Sequence, residues 1–258
     1  MTVEQTGQPC AWITGASSGL GAALARRMAE DGWHVAVSAR RAAALAEVVD
    51  QSAGLKGDIH AYPLDVTDRA AVAATVASIE RDFGQIDQAV LNAGTHEPVA
   101  AASLDAGTFR TLIDLNLMGT VHCLEAVLPQ MIARHGGSIA IVASVAGYHG
   151  LPSAAAYGMT KAGLINLAQS LKPELDGYGV HMQIVNPGFV RTPLTDKNTF
   201  PMPFLMEPDK AAEAFYRGLR STRFEIIFPR RLACLLKLLD MLPPRLAFAV
   251  TRRLVRAT

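Results

Sequence analysis

Cysteine is scarce in this sequence, and its uninterrupted apolar runs are short. Three cysteines in 258 residues, odd in number and far apart, predict reduced thiols in a cytoplasmic protein rather than a disulfide framework. No spacing of cysteine and histidine is typical of a zinc site, so we expect no metal. The N-terminus lacks a basic segment followed by an apolar one, and runs such as Ile139–Val145 are too short for a membrane span.

Net charge is also nearly absent. The formal net charge is +1 and half of the residues are hydrophobic, so the composition predicts no attraction to nucleic acid or to acidic partners. No internal repeat, low-complexity tract or linker divides the chain. A length of 258 residues suffices for one α/β unit with a large core, and we therefore expect a single domain over residues 1–258.

What is present is an alternation of short apolar runs with helix-period patterns. This alternation predicts an α/β fold in which helices cover both faces of a parallel sheet of about seven strands. The predicted strands are Cys10–Thr14, Trp33–Ser38, Ile59–Leu64, Ile86–Leu91, Ser138–Ala143, Val180–Val185 and Phe224–Phe228. The predicted helices are Ala22–Asp31, Ala42–Ala53, Arg69–Asp82, Ala106–His135 and Tyr157–Gly177.

A glycine-rich turn follows the first predicted strand. Gly15, Gly19 and Gly21 lie between that strand and a helical pattern that begins at Ala22. Strand, glycine turn and helix in this order form a dinucleotide cradle, because glycine lets the backbone approach a pyrophosphate and the helix N-terminus favours its charge. The pattern predicts a Rossmann-type doubly wound sheet with a nucleotide at this turn.

Tyr157 and Lys161 are four residues apart on a predicted helix, so they share a face. The pKa of a free tyrosine is about 10, and a neighbouring positive charge lowers it. We therefore expect Lys161 to lower the pKa of Tyr157, so that the phenol exchanges a proton with an alcohol or carbonyl oxygen near neutral pH. Ser144, at the end of an apolar run, could hydrogen-bond the same oxygen.

In these motifs the sequence resembles the short-chain dehydrogenase/reductase family in its single-domain form. The resemblance runs from about Pro9 to Arg191 and covers the cofactor turn, the catalytic tetrad and the loop beside the nicotinamide. It implies a catalytic set of Asn116, Ser144, Tyr157 and Lys161. It implies cofactor contacts from Gly15, Ser17, Ser18, Gly19, Leu20, Gly21, Asp65, Val66, Asn92, Ala93, Gly94, Tyr157, Lys161, Pro187, Gly188, Val190 and Thr192. The chain departs from the family at Leu91, where an Asn is common, and in its basic, apolar C-terminus.

The family resemblance assigns a role to each catalytic position. Tyr157 is expected to be the general acid for carbonyl reduction and the base for alcohol oxidation, and Lys161 to lower its pKa and hold the nicotinamide ribose. Ser144 is expected to position the substrate oxygen, and Asn116 to hold a backbone and water relay behind Lys161. Two other functions stay open: a dinucleotide-sensing regulator on the same fold, and a sugar-nucleotide epimerase or dehydratase with the same Tyr/Lys pair.

One turn bears on the choice of cofactor. An acidic residue after the second strand binds the adenosine ribose, whereas an arginine there accommodates a 2′-phosphate. In this sequence Ala39 holds the acidic position and Arg40 follows it. An arginine fork binds phosphate well, so we expect NADP(H) to be preferred over NAD(H).

The expected substrate pocket is apolar, which favours a hydrophobic small-molecule carbonyl or alcohol substrate. Its expected lining is Ala146, Tyr148, His149, Leu151, Phe189, Leu194, Phe200, Phe204 and Leu205. Residues 189–208 hold four prolines and no regular pattern, and we interpret them as a substrate lid rather than a merely mobile loop.

The C-terminal tail, residues 229–258, reads as a basic amphipathic helical extension. From Arg223 onward, eight lysine and arginine residues stand against two acidic ones, a net of +6. Helices are predicted over Arg230–Met241 and Arg245–Arg256. Such helices either contact an anionic membrane surface or pack on the enzyme or a partner subunit.

The predicted helices Ala106–His135 and Tyr157–Gly177 carry more apolar surface than one sheet face requires. This excess predicts a homodimer, with a tetramer left open.

Overall fold

The computed structural model describes residues 7–197 and 201–255. Seven parallel strands form one sheet in the order β3-β2-β1-β4-β5-β6-β7, so the predicted doubly wound α/β fold is confirmed. The strands are β1 Cys10–Thr14, β2 His34–Ser38, β3 Asp58–Ala61, β4 Gln88–Leu91, β5 Ser138–Val142, β6 His181–Pro187 and β7 Glu225–Phe228. The helices are α1 Gly19–Glu30, α2 Ala42–Asp50, α3 Arg69–Phe83, α4 Ala106–Leu112, α5 Gly119–Ala133, α6 Ala155–Gly177, α7 Pro208–Leu219, α8 Arg230–Asp240 and α9 Pro244–Val255.

The core lies on both faces of the sheet because successive strand residues point in opposite directions. Ile13 faces a cluster that includes α1 and α7, whereas its neighbour Trp12 faces the cluster that includes α3, α5 and α6. All five residues of β1 are buried, as expected for a central strand covered on both sides. Trp12 satisfies its indole N–H by donating a hydrogen bond to Ser38 Oγ at 3.0 Å.

The predicted helix Ala106–His135 is observed as one helical segment over Ala106–Ala133, but it is not α-helical throughout. It consists of α4, a π-helical turn over Ile113–Met118, and α5. A π turn holds an extra residue, and such insertions frequently mark functional sites. Here the turn contains the fully buried side chain of Asn116. By length and composition alone, the segment Ala106–Ala133 is long and apolar enough to cross a membrane. It packs against α3, β4 and α6, as a core helix does.

Helix α7 was not predicted, although its signals are present in the sequence. Pro208 occupies the first turn, and Ala211, Ala212, Phe215 and Leu219 are buried at helical spacing. This helix packs against α1 and is joined to it by the ion pairs Arg26–Asp209 and Arg27–Glu213 at 2.9 and 2.7 Å. It therefore holds the helix that follows the glycine turn.

The tail forms two helices, α8 and α9, close to the predicted bounds, and Arg256 lies outside the described residues. Leu232 and Ala233 of α8 are buried against Val145, with Tyr148 and Phe189 at the edge of the cluster. The inner face of α8 therefore packs on the body of the protein, as expected if the tail covers the enzyme's own core. The outer face is exposed.

Candidate active site

A cleft of 540 Å³ opens where the carboxyl ends of β1 and β4 diverge. Chain connections leave these neighbouring strands in opposite directions, which is where doubly wound sheets bind ligands. The lining comprises Gly15, Ser18, Gly19, Leu20, Gly21, Arg40, Arg41, Asn92, Gly94, Thr95, Val142, Ala143, Ser144, Tyr157, Lys161, Pro187, Gly188, Val190, Thr192, Pro193, Leu194 and Thr195.

Two glycines of the turn have positive φ angles and leave no room for a side chain. Gly15 and Gly19 have φ angles of +67° and +58°, which side chains rarely adopt. A Cβ at Gly15 would lie 2.7 Å from Ala93 Cα, and one at Gly19 would lie 2.7 Å from Thr192 Cγ2. The Ser18 side chain makes no capping hydrogen bond at the start of α1. The bare turn and uncapped helix N-terminus suit the pyrophosphate of a dinucleotide.

Asn92 and Thr14 fasten the ends of β4 and β1 together. Asn92 Nδ2 donates hydrogen bonds to the carbonyl oxygens of Thr14 and Gly15 at 3.0 and 3.1 Å. Thr14 Oγ1 accepts hydrogen bonds from the backbone N–H groups of Asn92 and Ala93, each at 3.0 Å. These bonds fix the floor of the cleft.

Asn116 lies behind the cleft, and both polar atoms of its side chain form hydrogen bonds. Its Nδ2 donates to Thr95 O and Thr160 Oγ1, each at 3.0 Å, and its Oδ1 accepts from Thr95 N at 2.8 Å. Thr160 Oγ1 in turn donates to the Tyr157 carbonyl oxygen at 2.8 Å. The π turn therefore links the segment after β4 to the start of α6, which carries Tyr157.

Lys161 and Tyr157 face the cleft together, but burial dominates the pKa of each. Lys161 Nζ donates to Val142 O at 2.8 Å and lies 5.6 Å from the centroid of the Tyr157 ring. Burial lowers the pKa of Lys161 to about 8. Burial also raises the pKa of Tyr157 to about 12, against the opposing effect of a hydrogen bond with Ser144. The net pKa of Tyr157 therefore lies above its ordinary value, opposite to the predicted direction, since desolvation outweighs any effect of the ammonium.

Ser144 reaches the cleft from the turn after β5. Its Oγ donates to Pro187 O at 3.4 Å and accepts from Ala146 N at 3.1 Å, which fixes the hydroxyl at the start of the turn Val145–Gly147.

His96 was not predicted as a site residue. Its buried ring lies edge-on to Tyr157 with the ring centroids 4.8 Å apart.

A sequence profile described as short chain dehydrogenase matches residues 9–201. The chain belongs to the short-chain dehydrogenase family. It is 38% identical over 244 residues to an uncharacterized oxidoreductase of Myxococcus xanthus, covering 95% of this chain and 96% of that protein. It is 34% identical over 212 residues to a 3-oxoacyl-(acyl-carrier-protein) reductase of Thermotoga maritima, covering 82% of each.

A solved structure of the same family is also similar. The chain superposes with a TM-score of 0.80 on a short-chain dehydrogenase of Sphingobium yanoikuyae in complex with NADPH, at 29% identity, covering 90% of this chain and 92% of that one. The resemblance inferred from the motifs is thus confirmed. The chain is an oxidoreductase of the short-chain dehydrogenase family, and its cofactor is a nicotinamide dinucleotide.

Five residues that the dehydrogenase motifs single out do not line the cleft: Ser17, Asp65, Val66, Ala93 and Asn116. Asp65 Oδ1 accepts hydrogen bonds from Thr67 N and Oγ1 at 3.0 and 2.8 Å. Burial acts to raise the pKa of Asp65, but these bonds and the charge of Arg40 hold it below its usual value. Val66 is buried against Gly119.

Six lining residues of the dehydrogenase cleft were missed: Arg41, Thr95, Val142, Ala143, Pro193 and Thr195. Most enter the lining because they end a strand or follow one, which strand boundaries could have indicated. Within residues 7–197 and 201–255, no group of three or more His, Cys, Asp and Glu side chains could hold a metal ion.

Of the predicted substrate residues that the structure describes, only Leu194 lines the cleft, and Phe200 lies outside the described residues. The cleft lining does not include Ala146, Tyr148, His149, Leu151, Phe189, Phe204 or Leu205. Tyr148 lines a second cavity of 510 Å³ and donates from its hydroxyl to Glu225 Oε1 at 2.5 Å. His149 Nδ1 lies 3.2 Å from Asp240 Oδ1 of α8. Tyr148 therefore attaches the turn after Ser144 to β7, and His149 attaches it to α8; neither residue lines the cleft.

Proposed function

We propose that this short-chain dehydrogenase is an NADP(H)-dependent oxidoreductase that reduces the carbonyl group of a hydrophobic substrate, or oxidises the corresponding secondary alcohol, with Tyr157 as general acid/base. The observation that carries the proposal is that Ser144, Tyr157 and Lys161 line the same cleft as the glycine turn. A proton donor, an oxygen-orienting hydroxyl and a phosphate cradle are thereby combined in one site.

The choice of NADP(H) is supported by the charge at the adenosine end of the cleft. Arg40 and Arg41 follow β2 and both line the cleft, and Ala39 stands where an acidic side chain would repel a 2′-phosphate. The NADPH complex of the similar dehydrogenase from Sphingobium yanoikuyae adds support. The residues that would hold the dinucleotide are those of the glycine turn, Arg40, Asn92, Lys161, Gly188 and Thr192. When bound, the nicotinamide supplies or accepts the hydride.

The protein's part in the reaction is to orient one oxygen atom and deliver one proton. Ser144 Oγ, held by the backbone N–H of Ala146, would turn its one proton from Pro187 O, 3.4 Å away, and donate it in a hydrogen bond to the substrate carbonyl oxygen. The Tyr157 hydroxyl would then give its proton to that oxygen as negative charge develops on it. With a pKa near 12, the phenol is protonated at neutral pH, which suits the reductive direction.

Lys161 and Asn116 would assist this proton transfer without donating the proton to the substrate themselves. The buried Lys161 ammonium has a pKa of about 8, so it readily exchanges a proton near neutral pH. Asn116 would act as a positioning residue, since it ties the backbone at Thr95 to Thr160 and so orients the first turns of α6.

The substrate class is inferred from the walls beside the nicotinamide-side loop. Pro193 and Leu194 line the cleft, and Arg191 N donates a hydrogen bond to Met206 O at 2.9 Å. We infer that residues 189–208 form a lid over an apolar compound. The 3-oxoacyl-(acyl-carrier-protein) reductase of Thermotoga maritima, a relative, makes acyl thioesters a natural first class to test.

The direct test is NADPH absorbance decay with ketones, aldehydes and 3-oxoacyl thioesters of increasing chain length. Turnover should rise with apolar chain length, and NADH at equal concentration should support less of it. A panel on which no carbonyl compound consumes either dinucleotide, despite measurable NADPH binding, would contradict the reductase assignment and favour a dinucleotide-sensing role.

We further infer a cytoplasmic homodimer built through α5 and α6, with a tetramer as the larger alternative. Met118 and Met159, in the segment before α5 and on α6, leave large apolar side chains exposed in the single chain. A light-scattering mass of one chain at micromolar concentration would contradict this assembly.

A further inference from the structure

The tail carries an unusual share of the exposed apolar surface. Of the eleven large apolar side chains that are exposed among the described residues, six lie between residues 235 and 250: Leu235, Leu238, Met241, Leu246, Phe248 and Val250. Their exposed fractions run from 45% at Val250 to 82% at Met241. Such a concentration of exposed apolar side chains in one segment points to an interaction site. We call these six residues, with Arg230, Arg231, Arg245 and Arg252, the tail surface.

The charge of the tail surface has one sign. Its four arginines are exposed, and none of them forms an ion pair within the described part of the chain. The segment from Glu225 to Arg252 has only two acidic side chains, and both are engaged with other groups. Glu225 accepts from Lys237, Tyr148 and Asn186, and Asp240 contacts His149. The outward charge is therefore net positive, since the four arginines stand against one exposed carboxylate, Asp240.

The opposite face of α8 is committed to the active-site region. Leu232 and Ala233 pack on Val145, the residue after Ser144, and a Cβ at Gly188 would lie 2.8 Å from Leu232 Cδ2. Helix α8 is therefore already anchored, and its exposed leucines and Met241 are not needed to hold it on the protein. An apolar outer face that the fold does not use requires a separate explanation.

We propose that the tail surface docks on anionic phospholipid membranes, with its apolar side chains in the headgroup–acyl boundary and its guanidinium groups on lipid phosphates. Helices with one apolar face and flanking arginines bind such interfaces. A second copy of the chain is a poorer occupant. A twofold contact would place the same arginines of both copies at one interface without acidic partners. The proposal is independent of the reaction assigned to the cleft.

Cys234 supplies a probe of this contact in the full chain. It is exposed on α8, whereas Cys10 and Cys123 are buried, so a polarity-sensitive thiol dye should label Cys234 selectively. The labelled protein is mixed with vesicles of equal parts phosphatidylglycerol and phosphatidylcholine, or of phosphatidylcholine alone. We expect a blue-shifted emission and cosedimentation with the anionic vesicles, both weakened by added salt.

Two variants separate the contributions of charge and apolar contact. Replacing Arg230, Arg231, Arg245 and Arg252 by Gln should weaken binding to anionic vesicles by about tenfold or more. The matched control replaces Lys56, Arg81, Arg110 and Lys210, exposed elsewhere, and should bind like wild type. Leu238→Ser with Met241→Ser should also lose binding, whereas Leu104→Ser, at another exposed leucine, should not.

Two results would overturn the proposal. One is that the folded protein, with unchanged circular dichroism, fails to bind anionic vesicles at low salt. The other is that Leu238→Ser with Met241→Ser converts a dimer into a monomer by light scattering without changing vesicle binding, which would assign the tail surface to contact between copies.

Discussion

The Lys161 ammonium donates a hydrogen bond to the Val142 carbonyl oxygen at 2.8 Å, and the Lys161 residue is almost fully buried. This single backbone acceptor only partly replaces the lost hydration of the charge. The result is a lysine whose charge opposes folding while it serves the cleft, and whose effect on stability depends on pH.

Lys161→Met should therefore stabilise the folded protein near neutral pH. The pKa of Lys161 falls from 10.5 to about 8 on folding, so the unfolded chain binds more protons between these values and the unfavourable contribution fades as pH rises through that window. We expect a gain of about 1–3 kcal/mol in unfolding free energy at pH 7, decreasing towards pH 10. Urea unfolding at both pH values measures it. Lys210→Met, at an exposed lysine, is the control, and an equal gain at both pH values would contradict the explanation.

Tyr157→Phe should abolish most of the turnover without unfolding the protein. Loss of a positioned proton donor lowers kcat by about 10²–10⁴-fold, while the cofactor cradle stays intact. NADPH titration by fluorescence and carbonyl-dependent NADPH consumption separate the two effects. Tyr178→Phe removes a hydroxyl from an exposed tyrosine and should change neither quantity. Near-normal turnover in Tyr157→Phe would remove Tyr157 from the mechanism.

The two reaction directions should respond differently to pH. Because the pKa of Tyr157 is raised to about 12, its basic form, the phenolate, is rare at neutral pH. The phenolate fraction rises about tenfold with each unit of increasing pH until the pH approaches the pKa. Alcohol oxidation should therefore accelerate from pH 7 to pH 10, whereas Tyr157 imposes no such rise on carbonyl reduction. Initial rates at saturating substrate in both directions provide the comparison. A flat oxidation profile would show that the phenolate does not limit the reaction.

Arg40→Ala should weaken NADPH binding by about 10–100-fold, as expected for one charge-assisted contact. NADH affinity should change little, since NADH lacks the 2′-phosphate. Isothermal titration with both dinucleotides gives the ratio, and Arg81→Ala removes an exposed arginine outside the cleft as a control. Unchanged NADPH affinity in Arg40→Ala would contradict the proposed phosphate contact.

Gly19→Ala and Gly54→Ala form a matched pair. Both glycines have positive φ, +58° and +84°, so either alanine costs roughly 1 kcal/mol in backbone strain. Only at Gly19 does the new Cβ meet another residue, Thr192 Cγ2. We expect comparable losses of stability from the backbone term and a loss of dinucleotide affinity in Gly19→Ala alone. Equal NADPH binding by both variants would argue against a tight cradle.

Much of the site could be predicted from the sequence because its chemistry depends on local spacing. Gly15 follows β1 and Gly19 begins α1, while Tyr157 and Lys161 share a helix face, so the fold brings both pairs to the cleft. These relationships depend on helix and strand periods, which the sequence expresses directly.

Other properties depend on packing that spacing does not express. Asn116 lies in a π turn. This turn could not be predicted, because one extra residue in a helical turn leaves the surrounding apolar pattern nearly unchanged. The pKa of Tyr157 was predicted in the wrong direction because helix spacing indicated a nearby charge, while the depth of burial determines the sign. Tyr148 was expected to line the substrate pocket, but its hydroxyl bonds Glu225, which is 77 residues away.

The close approach of Leu232 to Gly188 has a practical consequence for protein production. Deleting an apolar, basic C-terminus is a common route to better-behaved material. Here a chain cut before α8 would uncover Val145 beside Ser144 and leave Tyr148 and Glu225 without Lys237. A shortened protein would thus differ from the natural enzyme in its reaction centre as well as in its surface. If such a fragment were inactive, the cause would be the lost packing beside Ser144 rather than a lost contact with a membrane.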